Sequence, residues 1–430
     1  MSKLNRRNFL SLTSGALAAT SLGFPMLSLA GTKRVVIVGG GIGGATAAKY
    51  IRMADSSINV TLIEPNKNYY TCFMSNEVLG GGRDLDSIKF GYAGLKKHGV
   101  DVVHDLVTGI DPVARKVSIK SGSSMSYDAC IVSPGVDFRW EAIEGHSEAV
   151  IDKVPHAWKA GPQTAILKKQ IMAMRDGGTV AIVAPPNPFR CPPGPYERAS
   201  QIAWYLKNHK PKSKIIILDN KPKFSKMGLF TAGWEKYYGF NSSNSMIEWV
   251  SGDAGGKVAS LDVAKMSLST DAADFKADVI NIIPAQKAGK IAFTAGLVNE
   301  GGWCPVNQRT FESSNHKDIY VIGDSSVAAP LPKSGYSANS EAKVCAAAIV
   351  AKLNGKDSPE PSLVNTCYSI IMPDDAISVA MVYRMGKDGK IMKIEGSGGL
   401  TPADSSAAMR KREVGYAHSW FNNITDDIFG

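Results

Sequence analysis

Nowhere in this 430-residue chain do two cysteines stand close together. Its six, Cys72, Cys130, Cys191, Cys304, Cys345 and Cys367, are so far apart that no Cys-x-x-Cys motif and no Cys-x-x-Cys-His haem attachment site exists. The chain therefore attaches no c-type haem itself, and no metal-ligand set is expected. Six thiols allow 15 full pairings, so spacing alone assigns none of them. Basic runs interleaved with aromatic residues are also missing, which excludes nucleic acid as an expected partner. Beyond the first 30 residues no apolar stretch is long enough for a bilayer, so no integral membrane segment is expected there. With 44% hydrophobic and 20% charged residues the chain is no disordered polymer, and it suffices for two or three cored domains.

The first 30 residues carry an export pattern. Arg6-Arg7 is followed by Phe9-Leu10, a weakly apolar stretch and the small-residue ending Ser28-Leu29-Ala30. This is a twin-arginine signal with cleavage expected after Ala30, and it implies a periplasmic destination reached in the folded state. Lys3, Arg6 and Arg7 leave with it, lowering the net charge of +10 by three. The moderately basic surface that remains suits an acidic protein partner.

"KRVVIVGGGIGGATAAKY" is the strongest local signal. The buried-type strand Arg34–Val38 runs through Gly39-x-Gly41-x-x-Gly44 into a helix, and a second strand, 60–63, ends at Glu64. Gly39 makes the tight turn, Gly41 admits a pyrophosphate to the helix N-terminus, and Gly44 permits close helix–strand packing. Glu64 is placed to accept from ribose hydroxyls. A dinucleotide is expected here.

A second strand–loop–helix–strand unit follows at 179–219, but its loop reads Ala184-Pro185-Pro186-Asn187-Pro188-Phe189 where glycines would stand. Proline offers no N–H to a phosphate and its ring blocks close approach. Binding of NAD(P) is not expected. The same stretch holds Cys191, just ahead of a helix whose first turn contains Pro195, Tyr196 and Glu197. A helix N-terminus favours a thiolate, which marks Cys191 as the better leaving sulfur of any pair it joins.

Late in the chain, strand 319–322 delivers Gly323-Asp324, and "YDACIVSPGV" lies between the two glycine-bearing segments. This arrangement resembles the glutathione-reductase-like flavoproteins. The resemblance implies FAD, with Asp324 on the ribityl chain and the helix after Tyr336 aimed at the flavin. "CPPGPYERA", the lone upstream cysteine of "NYYTCFMSNEVLGG" and the late one of "NTCYSII" narrow it further. Together they resemble the flavoprotein subunit of flavocytochrome c sulfide dehydrogenase, with sulfide:quinone oxidoreductases as related proteins.

That resemblance implies a redox-active disulfide between Cys191 and Cys367 beside the flavin, and a thioether from Cys72 to FAD. It also implies oxidation of sulfide to sulfane sulfur or polysulfide, with electrons passed to a c-type cytochrome subunit. Glu197 is the candidate for the proton of sulfide, and Lys333 and Tyr336 for stabilising charge on the reduced ring. With Cys191 as leaving thiolate, Cys367 would carry the persulfide. Cys130, Cys304 and Cys345 read as packing residues. Two alternatives stay open: a quinone-reducing relative, and a non-catalytic flavin-binding protein whose disulfide is only structural.

The expected fold is α/β, with two Rossmann-like βαβ domains and a smaller C-terminal α+β interface domain. The FAD domain is discontinuous (31–150 and 290–360) and the second domain is inserted (151–289). The tail, 361–430, reads as rich in turns and shows no helical repeat with a basic face. Trp420 and Phe421 within it are candidates for a flavin wall or a cytochrome contact.

Overall fold

The computed structural model describes residues 33–430, so the export pattern of residues 1–30 lies outside the described residues. Strand β1 (Arg34–Val38) turns at Gly39 into helix α1 (Ile42–Ala54) and the chain returns as β2 (Asn59–Ile63). The short helix α2 (Ser75–Gly80), then β3 (Asp101–Val103), β4 (Ala129–Val132) and β5 (Val136–Arg139) follow. The chain next runs through β6 (Thr179–Ala184), α3 (Gly194–His209), β7 (Lys214–Asp219), α4 (Met227–Tyr238), β8 (Ile247–Val250) and β9 (Val279–Ile282). After β10 (Ala285–Ala288), β11 (Ile319–Val321) and α5 (Gly335–Leu353), it closes with the hairpin β12 (Ser362–Met372) and β13 (Asp375–Met385) and with α6 (Ala407–Phe429).

Two parallel sheets result. The first has the order β11-β4-β1-β2-β3 and the second β8-β7-β6-β9. The first thus takes strands from both sides of the second in sequence, as a discontinuous α/β unit must. Runs such as Val35-Val36-Ile37-Val38 are buried along their whole length, because helices or other structure cover both faces of a parallel sheet. Strand order reverses beside β1 and beside β6, so the loops after these two strands open the crevices where such sheets bind ligands. The antiparallel pair β5·β10 joins the two units. Helices α1 and α5, both rich in alanine on their buried faces, pack against each other, α1 also on β1 and β2 and α5 on β12.

The tail corrects its reading as turn-rich. β12 and β13 form an antiparallel hairpin of eleven residues a strand, and α6 spans 23 residues. Val414, Ala417, Phe421, Ile424 and Ile428 recur at spacings of three and four and are buried, which is an amphipathic repeat. Its neighbours Thr425 and Glu413 are buried too, so polar residues interrupt the stripe and hid it. The apolar face of α6 is spent on β13, β12 and α1. Asp427 accepts hydrogen bonds from Tyr50 and Asn339 and pairs with Lys343 at 2.9 Å, tying the C-terminus to α1 and α5. Among the described residues no helix is long and apolar enough to cross a membrane.

Candidate active site

A cavity of about 450 Å³ opens at the ends of β1 and β11. Gly39, with φ of 99°, adopts a conformation only glycine takes without strain, and a Cβ there would run into the carbonyl of Ser133. A Cβ on Gly44 would fall inside the surface of the Gly39 carbonyl oxygen, so α1 can lie this close to β1 only with glycine at 44. Gly41 caps α1 and lines the cavity. Glu64 also lines it and is steadied by the N–H of Gly40 at 2.9 Å and by the side chain of Asn66 at 2.7 Å.

At the far end of the cavity stand Gly323 and Asp324. One carboxylate oxygen of Asp324 is buried with no hydrogen-bond partner, and burial pushes its pKa up against the pull of Arg190 and Lys333. An orphaned buried acceptor at the strand end, facing a glycine-lined trench, fits a hydroxylated dinucleotide such as FAD.

A smaller cavity of about 70 Å³ adjoins the first, with Cys72 and Arg190 lining both. Here the structure brings together Cys191, Cys367, Glu197 and Tyr336. Cys191 lies ahead of α3 and has φ of 57°, its N–H donating to the carbonyl of Lys333 at 2.8 Å. Cys367 is in β12. Each sulfur is the largest influence on the ionisation of the other. Their mutual hydrogen bond lowers the pKa of Cys367, with Lys226 assisting, and the same bond together with burial raises that of Cys191.

Glu197 lies in the first turn of α3, yet its carboxylate is not a solvent-facing dipole acid. It accepts from the N–H of Ile370 at 2.9 Å and from Asn76 at 2.8 Å, and burial raises its pKa to about 7. Burial likewise raises the Cys72 thiol, against Arg190. Tyr336 stacks on Trp420 at 6.1 Å, and Trp420 lines the small cavity, whereas Phe421 is core, with Arg83 over its ring.

Lys333 engages main-chain oxygens and an aromatic ring. Its ammonium donates to the carbonyls of Asp324 and Ser326 and lies 4.1 Å from the Trp303 ring centroid, and it lines neither cavity. It serves the site through its main chain, by seating Cys191. The helix-end support expected for a Cys191 thiolate is not found. The N–H of Gly194 goes to the carbonyl of Cys191, Pro195 has none, and those of Tyr196 and Glu197 go to Pro193, so no helix-end N–H is left for the sulfur. Sequence reasoning missed Arg190, Arg198 and Lys226. The only available signal was their position next to chemically marked residues, since an arginine or lysine in sequence reads first as surface. Cys130, Cys304 and Cys345 are fully buried and raised in pKa by that burial, as packing thiols are.

Two crevice-bearing parallel sheets and an α+β cap, with a dinucleotide trench opening onto a pair of thiols, define a flavin-dependent oxidoreductase of the pyridine nucleotide-disulphide oxidoreductase class, whose family description matches residues 33–171. Residues 164–284 match "Sulfide dehydrogenase [flavocytochrome c] flavoprotein chain, central", and residues 359–429 match "Flavocytochrome c sulphide dehydrogenase, flavin-binding". A sulfide dehydrogenase [flavocytochrome c] flavoprotein chain from Chlorobaculum thiosulfatiphilum is 62% identical over 48 residues, which are 11% of this chain and all of that sequence. The chain belongs to the flavocytochrome c sulfide dehydrogenase flavoprotein family. A sulfide-quinone reductase from Aquifex aeolicus is 24% identical over 355 residues, covering 78% of this chain and 80% of that one. The solved structure of a sulfide:quinone oxidoreductase from Aquifex aeolicus shares the fold, with a TM-score of 0.69, 18% identity and 92% of each chain covered.

Proposed function

We propose that this chain is the flavin-bearing subunit of a periplasmic sulfide dehydrogenase, oxidising sulfide to sulfane sulfur or polysulfide and passing electrons to a c-type cytochrome subunit. The observation that carries the reading is the meeting of Cys191 and Cys367, distant in sequence, in a cavity shared with Cys72 and Glu197 at the mouth of the dinucleotide trench. When the two sulfurs are bonded, hydrosulfide attacks one of them, forms a persulfide there and expels the other as thiolate. Glu197, poised near neutrality, takes the proton of incoming hydrogen sulfide, with Asn76 and the Ile370 N–H holding its carboxylate in place. Arg190, lining both cavities, balances negative charge where they join. FAD, which Gly39, Gly41, Glu64 and Asp324 would hold, would supply a two-electron sink, and the disulfide closes again once the sulfane sulfur has left as elemental sulfur or on a polysulfide chain. On this reading Cys72, which lines both cavities, forms a thioether to FAD, which would retain the cofactor after export.

Residues 1–30 serve as the twin-arginine signal on this reading, 31–150 and 290–360 as the FAD domain, 151–289 as the inserted domain, and 361–430 as the interface domain. NAD(P) is left out of the reaction. Pro185 and Pro186 line the crevice after β6, and the acid ending β7, Asp219, is already engaged by Tyr196, Lys221 and Trp249 rather than free for a ribose. A cytochrome is favoured over a quinone because α6 keeps its apolar face inward.

Anaerobic sulfide is expected to bleach the flavin, NADH to leave it unchanged, and a c-type cytochrome but not a soluble quinone to restore the colour. A flavin that sulfide does not bleach would sink the proposal. Peptide masses of the mature protein should show FAD on the Cys72 peptide; FAD released by denaturant would refute the thioether. The rate of bleaching is expected to fall as pH drops through about 7, where Glu197 becomes protonated. Glu197→Gln should remove that limb and lower the rate about 10²-fold. An unchanged pH profile would remove Glu197 from the proton path.

A further inference from the structure

Lys226 is a buried cation with no carboxylate beside it among the described residues. It is 6% exposed, its ammonium donates to the hydroxyl of Ser369 at 2.8 Å, and it lies 5.9 Å from the Phe230 ring centroid. Burying an ammonium is costly unless something negative answers it. Its backbone is in the left-handed region, with φ of 60°, at the N-cap of α4, an unfavourable conformation for lysine that aims the side chain inward. Ser369 follows Cys367 by two positions on β12, so the two side chains project from the same face of the strand. Lys226 therefore reaches β12 on the face that carries the Cys367 sulfur.

The other charged groups facing this point do not replace that sulfur as counter-ion. Glu197 on α3 is held by Asn76 and the Ile370 N–H and is half protonated near neutrality. Glu413 on α6 accepts from Thr401 at 2.9 and 2.8 Å and from Ser378 at 3.3 Å. Near Cys191, Arg198 and Arg190 both feel the charge of its sulfur, but neither donates a hydrogen bond to it, and the Nε of Arg190 is left unpartnered. Arg198 spends its donors on Asn76, Asn281 and the carbonyls of His156 and Ala157, and Arg190 donates to the carbonyl of Trp158 and faces Cys72 and Asp324.

We infer that Lys226 is a positioning residue that decides the direction of sulfur exchange, favouring departure of Cys367 as thiolate so that the incoming sulfur is carried on Cys191. The inference rests on the sulfide-oxidising reading above. Hydrosulfide attacks the Cys191 sulfur and the Cys191–Cys367 bond breaks. The bonding pair leaves on Cys367 beside the ammonium, and Cys191 holds the persulfide.

Two measurements test this. In wild-type protein given one equivalent of sulfide anaerobically and quenched with iodoacetamide before the flavin bleaches, mass mapping should place the extra sulfur on Cys191 and a simple alkyl group on Cys367. In fully reduced protein at pH 7, Cys367 should be alkylated about tenfold faster in wild type than in Lys226→Met, with Lys226→Arg close to wild type. Ser369→Ala, which removes only the hydroxyl holding the ammonium, should fall between and serves if Lys226→Met does not fold. Persulfide on Cys367, or alkylation indifferent to both substitutions, overturns the role of Lys226. Sulfide that neither bleaches the flavin nor leaves a cysteine persulfidated, while alkylation still depends on Lys226, defeats instead the sulfide reading and leaves the electrostatic role standing.

Discussion

Cys191→Ser and Cys367→Ser are each expected to slow sulfide-dependent bleaching roughly 10⁴-fold or more, and the double variant is expected to be no slower than either single one. The reason is that exchange needs two sulfurs at once, one to receive the attack and one to leave, so losing either removes the whole step. Flavin content should not change, since neither residue lines the larger cavity. Cys130, Cys304 and Cys345 provide the contrast. All three are buried, with ionisation suppressed by burial, and lie outside both cavities, so their replacement by alanine should leave the rate unchanged. The measurement is stopped-flow bleaching under anaerobic sulfide. A single serine variant retaining a tenth of the wild-type rate would show that the pair is not the port of entry, and would return the structural-disulfide alternative to favour.

Arg198→Met should cost the fold of the order of 3 kcal/mol or more, because each stranded buried acceptor is worth about 1–3 kcal/mol. Arg198 is 1% exposed and binds Asn281 at 2.8 Å, Asn76 at 3.2 Å, and the carbonyls of His156 at 3.0 Å and Ala157 at 2.6 Å. Burial lowers its pKa to about 9, so the guanidinium remains charged at neutral pH. Methionine matches its length but strands the oxygens of Asn76, Asn281 and Ala157 in a dry interior, the His156 carbonyl keeping only the amide of Asn281 at 2.9 Å, and lysine cannot span four acceptors from one point. Activity should fall as well, since the same side chain pins the segment carrying Trp158 to α3, which carries Glu197. Denaturant unfolding followed by far-ultraviolet circular dichroism gives the measure. A loss below about 1 kcal/mol would mean that water or relaxation replaces the guanidinium.

The dinucleotide trench was legible because its requirements are local. Gly39 needs a positive φ, Gly44 needs the absence of a Cβ, and Glu64 must end the neighbouring strand, all within one βαβ unit. The proline loop after β6 was legible for the same reason: what it cannot bind follows from missing N–H groups within a few residues. Helix α6 was not, since buried Glu413 and Thr425 break its stripe and only their partners, such as Thr401 for Glu413, make those positions tolerable inside. The turn of Lys333 onto the carbonyls of Asp324 and Ser326 and the Trp303 ring was not legible, because proximity in sequence to Tyr336 says nothing about where a four-carbon arm goes.

By itself, then, the order of residues determined the two parallel sheets, the nucleotide trench and its missing twin, and through family likeness the pair of sulfurs. Spacing and backbone conformation act over one strand and one turn, and that is the range over which residue order speaks. The lowering of the Cys367 thiol beside Cys191 and Lys226, the raising of Glu197 to about 7, and the turn of Lys333 onto main-chain carbonyls were decided only by the tertiary structure. Ionisation depends on distance and burial through space, and these quantities come into being only when β12, α3 and the start of α4 close around the same cavity.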